Sequence, residues 1–241
     1  MIGELLTRPQ PVSIPMVVLA LLVPFYIVIG EILTPGRTLH DPALSLDRVV
    51  PLQPTWSLIY GSFYVLAVLP VFVVHQQEQI RRTVLASLMV WIVAYVCFIV
   101  YPTLAPRPSK VIEASFFAWL LRSIYSSDPP YNCFPSLHVA QAFLSALTCY
   151  RVHRGVGVAA GLWASVVAVS TLYTKQHYVL DVIAGMFLGH AAYVMFLRSY
   201  PREAVPERDR RLAPVLALGS IGIYGLIVAG FWFVYALMNG R

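Results

Sequence analysis

The sequence predicts an all-α integral membrane protein, built as one bundle of six or seven transmembrane helices. Of its 241 residues, 59% are hydrophobic and 12% are charged, and the mean hydropathy is +0.72. A soluble domain has about a quarter charged residues and cannot bury this much apolar surface. The composition also excludes a disordered chain, and three scattered cysteines exclude a disulfide-stapled secreted module. No internal repeat is visible, so residues 1–241 are treated as a single membrane domain.

Seven apolar segments are candidate spans, because a helix needs about 20 residues to cross the hydrocarbon core. They are Ser13–Leu33, Trp56–Val74, Thr83–Tyr101, Leu137–Tyr150, Gly155–Tyr173, Tyr178–Leu197 and Ala213–Met238. The first lacks the cleavage site of a signal peptide and is expected to be retained. The fourth is short and counts as a span only if its start is buried among other helices. Glycines four residues apart, at 157 and 161 and at 185 and 189, predict close helix packing.

The long connection between the third and fourth spans contains a further helical pattern, at about residues 111–125. Its apolar residues recur at helical spacing, and only Glu113 and Arg122 are charged. This pattern is typical of an amphipathic helix that lies in the membrane interface. A surface helix packed on the bundle is the alternative.

The basic residues indicate the orientation of the bundle in the membrane. The formal charge is +6, but these residues lie in short loops between apolar segments, a distribution that argues against nucleic acid as a partner. Seven spans place ten of the 17 basic residues on the side of the N-terminus and the other seven opposite. The positive-inside rule then predicts a cytoplasmic N-terminus and puts the loop at 102–136 outside.

Polar residues near membrane depth are costly and therefore mark candidate functional sites. Three such segments lie at the ends of predicted spans, all on the side opposite the N-terminus. They are residues 101–108, 132–140 and 170–185. We expect these three helix ends to converge on one pocket.

The third polar segment contains a histidine and a carboxylate four residues apart. His177 and Asp181 share one face at the start of the sixth predicted span. A carboxylate at this distance can accept a hydrogen bond from one ring nitrogen, which leaves the other nitrogen free to act as a nucleophile. The alternative is a structural polar pair at a helix start.

The second polar segment predicts an anion-binding helix start. Ser136 can cap the fourth span, and the first backbone amides of that helix, including that of Leu137, point at whatever lies above them. His138 lies in the same turn, and Arg107 lies on the same side of the membrane. One imidazole could attack phosphorus while the other protonates the departing oxygen, with the arginine and amides stabilising the equatorial oxygens. A structural histidine is the alternative reading of His138.

The motif Pro-Ser-Leu-His at 135–138, followed by His177-x-x-x-Asp181, resembles the second and third signature motifs of the type 2 phosphatidic acid phosphatase (PAP2) superfamily. The resemblance covers about residues 95–195. It implies that His177 is a nucleophile forming phosphohistidine, that His138 acts as acid and then base, and that Asp181 orients the nucleophile. It further implies Arg107, Ser136 and the Leu137 amide as phosphate ligands, a lipid phosphate or phospholipid as substrate, and no metal or other cofactor.

The sequence also departs from the phosphatase pattern. Val100 stands where the first motif has a lysine, Thr171 stands where the third has an arginine, and Leu137 replaces the glycine of the second. Two cationic phosphate ligands are thus missing, and Lys175 is the nearby candidate to replace them. The segments Tyr-Pro-Thr at 101–103 and Thr-Lys-Gln-His-Tyr-Val-Leu-Asp-Val are more similar to the inositol phosphorylceramide synthase and sphingomyelin synthase branch. That branch transfers a head group to a lipid hydroxyl.

Three functions are therefore compared. A lipid phosphatase or phosphotransferase is favoured by the paired motifs. A transporter or channel would use Glu31, Asp181 and the histidines as a proton relay. However, these polar residues gather at one face and do not line a path through the bilayer. A catalytically inactive lipid-binding relative is left open by the missing lysine and arginine. The oligomeric state is not indicated by the sequence.

Overall fold

The computed structural model describes residues 14–128 and 130–239, and within them the chain is helical with no β-strand. The longer helices in chain order are α1 (Ile14–Ile27), α2 (Ser45–Val49), α3 (Ser57–Gly61), α4 (Phe63–Val73), α5 (Gln77–Val100), α6 (Phe116–Ser127), α7 (Leu137–Val152), α8 (Arg154–Tyr173), α9 (Val179–Phe196) and α10 (Glu207–Asn239). This architecture confirms the predicted fold class.

Five helical segments are long and apolar enough to cross a membrane in the part of the chain that the structure describes. They are Pro54–Val73, which contains α3 and α4, and the helices α5, α8, α9 and α10. The first predicted span is a shorter apolar helix, Val17–Leu33, which ends in a π-helical turn at Val28–Leu33. Its predicted first residue, Ser13, lies outside the described residues.

The fourth predicted span corresponds to α7, which has 16 residues and lies at the centre of the bundle. It packs against α4, α5, α8 and α9. Most of its side chains are buried, and many are small, including Ala140, Ala142 and Ala146. A helix surrounded on all sides by other helices need not span the full hydrocarbon thickness, which explains the shortness of the apolar segment.

The helix predicted at about residues 111–125 exists, but it begins at Phe116 and ends at Ser127. The cause is local. Ser115 adopts an extended backbone, and its hydroxyl accepts a hydrogen bond from the Ala118 amide at 3.2 Å. This cap makes the helix begin at Phe116, five residues after the predicted start. Ala118, Leu120 and Leu121 are buried against the bundle. Arg122 bonds the carbonyls of Val111 and Glu113 in the preceding extended segment.

Glycines bring α7 and α9 into backbone contact. A Cβ atom on Gly185 would lie 2.5 Å from the carbonyl oxygen of Ser136, and one on Gly189 would lie 2.4 Å from that of Ala140. This pair packs as predicted. In the other pair, Gly157 lies against Tyr150, whereas no atom of the described residues lies within 4 Å of a Cβ on Gly161. The prediction is therefore wrong for Gly161, because that helix face does not meet a neighbour.

Connections at one end of the bundle are tied together by backbone hydrogen bonds. The Ser136 amide donates to the Asp181 carbonyl at 3.0 Å, and the Ala105 amide donates to the Pro130 carbonyl at 2.7 Å. The start of α7, the start of α9 and the loop after α5 therefore meet at one end. All three polar segments lie there.

Candidate active site

His177 lies in the tight turn between α8 and α9. The amides of Gln176 and His177 both donate to the carbonyl of Thr171, at 2.9 and 3.3 Å, which closes the turn. Lys175 lies in the left-handed backbone region, with a φ of 55°, and this lets the chain reverse direction between α8 and α9. The Asp181 carboxylate then accepts from the Tyr178 amide at 2.8 Å and caps α9. The short connection seen in the sequence thus sets His177 just above the first turn of α9.

The hydrogen bonds of His177 define which of its nitrogens is free. Nδ1 lies 3.1 Å from the carbonyl oxygen of Cys133 and 3.5 Å from Oδ2 of Asp181. Because a carbonyl and a carboxylate only accept, Nδ1 carries the hydrogen and Nε2 presents its lone pair. The Cys133 carbonyl is the nearer of the two partners, and it was not anticipated from the sequence.

His138 faces this lone pair from the first turn of α7. Its Nδ1 lies 3.4 Å from Nε2 of His177, and both rings are buried. Ser136 caps α7, with its hydroxyl accepting from the Val139 amide at 3.3 Å. The first intrahelical bond runs from the Ala140 amide to the Ser136 carbonyl, so the amides of Leu137 and His138 precede the helical ladder. The structure therefore brings together two histidines and a helix start.

Arg107 lies beside the histidines and contacts three neighbouring residues, Gln176, Asp128 and Tyr125. Its guanidinium donates to the Gln176 side chain and, at 2.8 Å, to the Asp128 carbonyl. It also lies over the Tyr125 ring, 4.7 Å from the centroid. Burial raises the pKa of Tyr125 to about 12, so this hydroxyl keeps its proton and donates to the Thr174 carbonyl at 2.6 Å. Arg107 is thus fixed in place before any ligand binds.

Lys175 occupies a different position from that expected of a phosphate ligand. Its ammonium group donates to the carbonyls of Asp47, at 3.2 Å, and Val50, at 2.5 Å. These contacts fasten the connection around α2 to the turn between α8 and α9. Among the described residues, Lys175 therefore binds backbone carbonyls and holds this turn against the connection around α2. It is the residue before Gln176 in the sequence.

Two donors at the site have no partner. Nε of Arg107 and Nε2 of Gln176 are buried and form no hydrogen bond within the described residues. Because buried polar groups are nearly always paired, such orphans indicate a position where a ligand or water is bound. Gln176 was not singled out from the sequence, since a glutamine in a turn carries no signal of its own.

A second layer of polar residues lies behind His138 and was also missed. Tyr60 bonds Nε2 of His138, and Asp128 bonds Tyr60 and Tyr26. Asp128 additionally lies 3.5 Å from a guanidinium nitrogen of Arg107. A tyrosine in an apolar span is common and gives no signal. Asp128 lies in the same connection as the second motif. It could have been singled out from the sequence, because a charged residue near membrane depth marks a candidate functional site.

Cys133 lies close to two side chains of types that can bind metals. Ligand-type atoms of Cys133, His177 and Asp181 all lie within 4.8 Å of one another, and all three residues are buried. However, Nδ1 of His177 faces a backbone carbonyl, which fits an N–H group rather than a metal-bound lone pair. Burial, aided by the Asp181 carboxylate, also raises the pKa of the Cys133 thiol and disfavours the thiolate that metals prefer.

Comparison with known proteins gives the family of this chain. The profile of the PAP2 superfamily matches residues 40–195, which is more than half of the sequence. This chain belongs to the PAP2 superfamily. A PA-phosphatase related-family protein of Dictyostelium discoideum is 21% identical over 120 residues, which are 45% of this chain and 22% of that protein. The chain thus spans less than a quarter of that relative's length. No solved structure matches this chain.

The family match starts much earlier than the resemblance read from the motifs, at residue 40 instead of about 95. The added part contains α2, α3, α4 and most of α5. It therefore includes Tyr60 and the carbonyls that bind Lys175. Superfamily membership supports a phosphatase-type function for this membrane protein.

Proposed function

We propose that this protein is a metal-independent phosphatase or phosphotransferase, acting on a lipid-linked phosphate ester through a phosphohistidine at His177. The observation that carries the proposal is the approach of Nε2 of His177 to Nδ1 of His138, at 3.4 Å, at two adjacent helix starts. A bare lone pair and a proton-carrying nitrogen are what in-line phosphoryl transfer to a histidine requires.

The reaction proceeds in two steps with balanced bonds. Nε2 of His177 attacks phosphorus, the bond from phosphorus to the leaving oxygen breaks, and that oxygen takes the Nδ1 proton of His138. In the second step an acceptor hydroxyl attacks phosphorus and its proton passes to Nδ1 of His138. The bond between phosphorus and His177 then breaks, which returns the site to its starting state. Asp181 and the Cys133 carbonyl hold the His177 ring throughout.

The phosphoryl oxygens are bound by groups that already lie next to the histidines. We assign this role to Nε of Arg107, Nε2 of Gln176, Ser136 and the amide of Leu137. Among the described residues, these two side-chain nitrogens have no hydrogen-bond partner. The amide lies at a helix start, where the helix dipole favours an anion. Lys175, tied to two carbonyls, is assigned a role in holding the turn and not in binding phosphate.

An apolar groove next to the site suits a lipid substrate. It has a volume of about 280 Å³ and is formed between α4, α6 and α10, with Tyr64, Leu120, Ile124 and Phe231 among its walls. Two other lining residues, Gly61 and Ser127, are the immediate neighbours of Tyr60 and Asp128 in the chain. A hydrocarbon chain in this groove would place its head group near the histidines.

Trapping the intermediate tests the proposal. Purified protein is mixed with a ³²P-labelled lipid phosphate and quenched in alkali, where phosphohistidine survives and acyl phosphate does not. We expect label on the wild type and none on His177→Ala. Label on the His138→Ala variant should form far more slowly than on the wild type, because the leaving alkoxide then receives no proton. Label that persists in His177→Ala would refute the proposal. Lipid-phosphate binding without turnover, under any acceptor, would indicate an inactive relative instead.

A head-group transferase is the second candidate, and the charge around Arg107 favours it. This guanidinium lies 3.5 Å from the Asp128 carboxylate, so much of its charge is already compensated. The missing cations at Val100 and Thr171 would have supported a phosphomonoester, which carries about two charges at neutral pH. A phosphodiester carries one. Turnover of a phospholipid only when a ceramide, diacylglycerol or polyol is added would support transfer, and phosphate release into water would support hydrolysis.

We further propose that the site faces the extracytoplasmic side and that the N-terminus is cytoplasmic. The asymmetry of basic residues supports this orientation. The orientation can be measured with single cysteines introduced into a cysteine-free variant, one at Ser109 and one at Arg154. A membrane-impermeant maleimide added to intact cells should label the first and spare the second. The reverse pattern would contradict the orientation without affecting the chemistry.

A further inference from the structure

A hydrogen-bonded chain extends from His138 on the side away from the nucleophile. Nε2 of His138 lies 3.1 Å from the Tyr60 hydroxyl, which lies 3.2 Å from Oδ2 of Asp128. Tyr60 is fully buried, and Asp128 and His138 are each 8% exposed. We propose that Asp128, acting through Tyr60, keeps a proton on Nε2 of His138, so that Nδ1 alone exchanges protons with the substrate. This inference rests on the proposed function.

The donors and acceptors of the chain support this assignment. With a hydrogen on Nε2, His138 donates to the Tyr60 oxygen, and the Tyr60 hydroxyl donates to the Asp128 carboxylate. Every donor then meets an acceptor. With Nε2 bare, Tyr60 would donate to His138 instead, and the carboxylate would lose that bond. The first arrangement holds whether Nδ1 is protonated or not, so it serves both the acid step and the base step.

The Asp128 carboxylate is held in position by two further groups. The Tyr26 hydroxyl donates to Oδ1 at 2.6 Å, and a guanidinium nitrogen of Arg107 lies 3.5 Å from Oδ2. The titratable and charged groups that face His138 from the surrounding elements are Tyr60, His177, Asp128 and Arg107. Among them, the Asp128 carboxylate favours a protonated imidazole, and Tyr60 connects the two directly.

The chain also explains how a buried histidine can serve as an acid. Desolvation disfavours the charged imidazolium, and a negative charge within reach offsets that cost. Tyr60 joins α3 to α7, and Asp128 is the residue that immediately follows α6. Three separate elements must therefore pack correctly before His138 is supported. Tyr60 and Asp128 are positioning residues, because they act on the substrate only through His138.

The test compares two substrates that differ in their need for an acid. Dioctanoyl phosphatidate has a poor alkoxide leaving group that must be protonated, and p-nitrophenyl phosphate has a good one that need not be. We expect Tyr60→Phe to lower kcat for the lipid about 10- to 100-fold, the range for one hydrogen bond to a charged group. The loss in kcat/KM on the aryl substrate, which reports the phosphorylation step alone, should stay within about threefold, since protonation of the leaving group contributes little there.

Two further measurements separate a relay from simple structural support. The alkaline limb of the kcat/KM profile should move to lower pH in Tyr60→Phe and in Asp128→Asn, because His138 holds its proton less tightly. The double variant should lose no more than the single variants, since Asp128 acts through Tyr60. Tyr95→Phe is the matched control. It removes another buried hydroxyl, bonded at 2.8 Å to the Leu22 carbonyl, and should behave like the wild type.

Several results would overturn the relay. They are equal losses on both substrates, an unmoved alkaline limb, or additive losses in the double variant. If Tyr60→Phe does not fold, as judged by gel filtration in detergent, Asp128→Asn carries the same test. Failure of the proposed function is a different result, because His177→Ala would then still turn over both substrates. Loss of activity in His177→Ala with an unselective Tyr60→Phe rejects the relay alone.

Discussion

The two histidines of the site are supported in different ways. His177 is held by Asp181, four residues away on the same helix start, and by the carbonyl of Cys133. His138 is held by Tyr60, 78 residues away in the sequence, and through it by Asp128. The Asp181 contact of His177 is therefore local to one helix start, and its nearer partner, the Cys133 carbonyl, comes from the connection before α7. The support of the acid depends on how separate helices pack, and it is the part of the site that a change in packing should disturb first.

The largest expected effect separates the roles of the two rings. His177→Ala should lower kcat by at least about 10⁴-fold on every substrate, because no nucleophile remains. His138→Ala should be as severe on a lipid phosphate. Its loss in kcat/KM should be at least about tenfold milder on p-nitrophenyl phosphate, whose first step needs no acid. Steady-state kinetics with both substrates measure this. Equal losses in both variants on both substrates would remove the distinction between the rings.

The second-largest effect is expected from a change in the packing of α7, the helix that carries His138. In Gly185→Ala the new Cβ would lie 2.5 Å from the Ser136 carbonyl, so α7 and α9 must move apart. We expect a fall in kcat of about 10- to 100-fold, since a displacement near 1 Å misaligns reacting groups. The melting temperature in detergent should fall as well.

Gly161→Ala is the matched control for this packing change, because its Cβ meets nothing within 4 Å. It should leave activity unchanged and, as a helical glycine replaced by alanine, stabilise the fold by about 0.5–1 kcal/mol. Similar melting temperatures and activities for the two variants would show that the contact between α7 and α9 does not position the site.

Replacing the local carboxylate should have a smaller effect. Asp181→Asn keeps an oxygen that can cap the Tyr178 amide but removes the charge beside Nδ1 of His177, while the Cys133 carbonyl at 3.1 Å still holds the ring. We expect kcat to fall about tenfold with KM nearly unchanged. A loss as large as that of His177→Ala would mean that the carboxylate, and not the carbonyl, controls the ring.

The smallest expected effect concerns the cluster of Cys133, His177 and Asp181. Incubation with EDTA should leave turnover unchanged, and Cys133→Ala should stay within about threefold of the wild type, because its backbone carbonyl, rather than its thiol, contacts His177. Inhibition by EDTA that is reversed by added zinc, and lost in the variant, would instead identify these residues as metal ligands.

The sequence by itself determined the membrane class, the helical architecture and the local half of the site. Hydropathy identifies the helices because the bilayer demands long apolar segments. The spacing of His177 and Asp181 indicates their shared face because helical geometry is local. Ser136 indicates a helix start because capping is also local: its hydroxyl binds an amide three residues further along the chain. The helix at Phe116–Ser127 was also predicted, but its first residue was not, because the cap at Ser115 depends on a backbone change that the apolar pattern does not reveal.

Tertiary structure alone decided the rest. Tyr60 reaches His138 only because α3 packs beside α7, and Asp128 reaches Tyr60 only because α6 ends at that point. The Cys133 carbonyl is a backbone group and has no signature in the sequence. Lys175 was expected near phosphate, yet backbone carbonyls at Asp47 and Val50 accept its hydrogen bonds. Such contacts join residues distant in the chain, and no local periodicity records which distant groups will meet when helices pack.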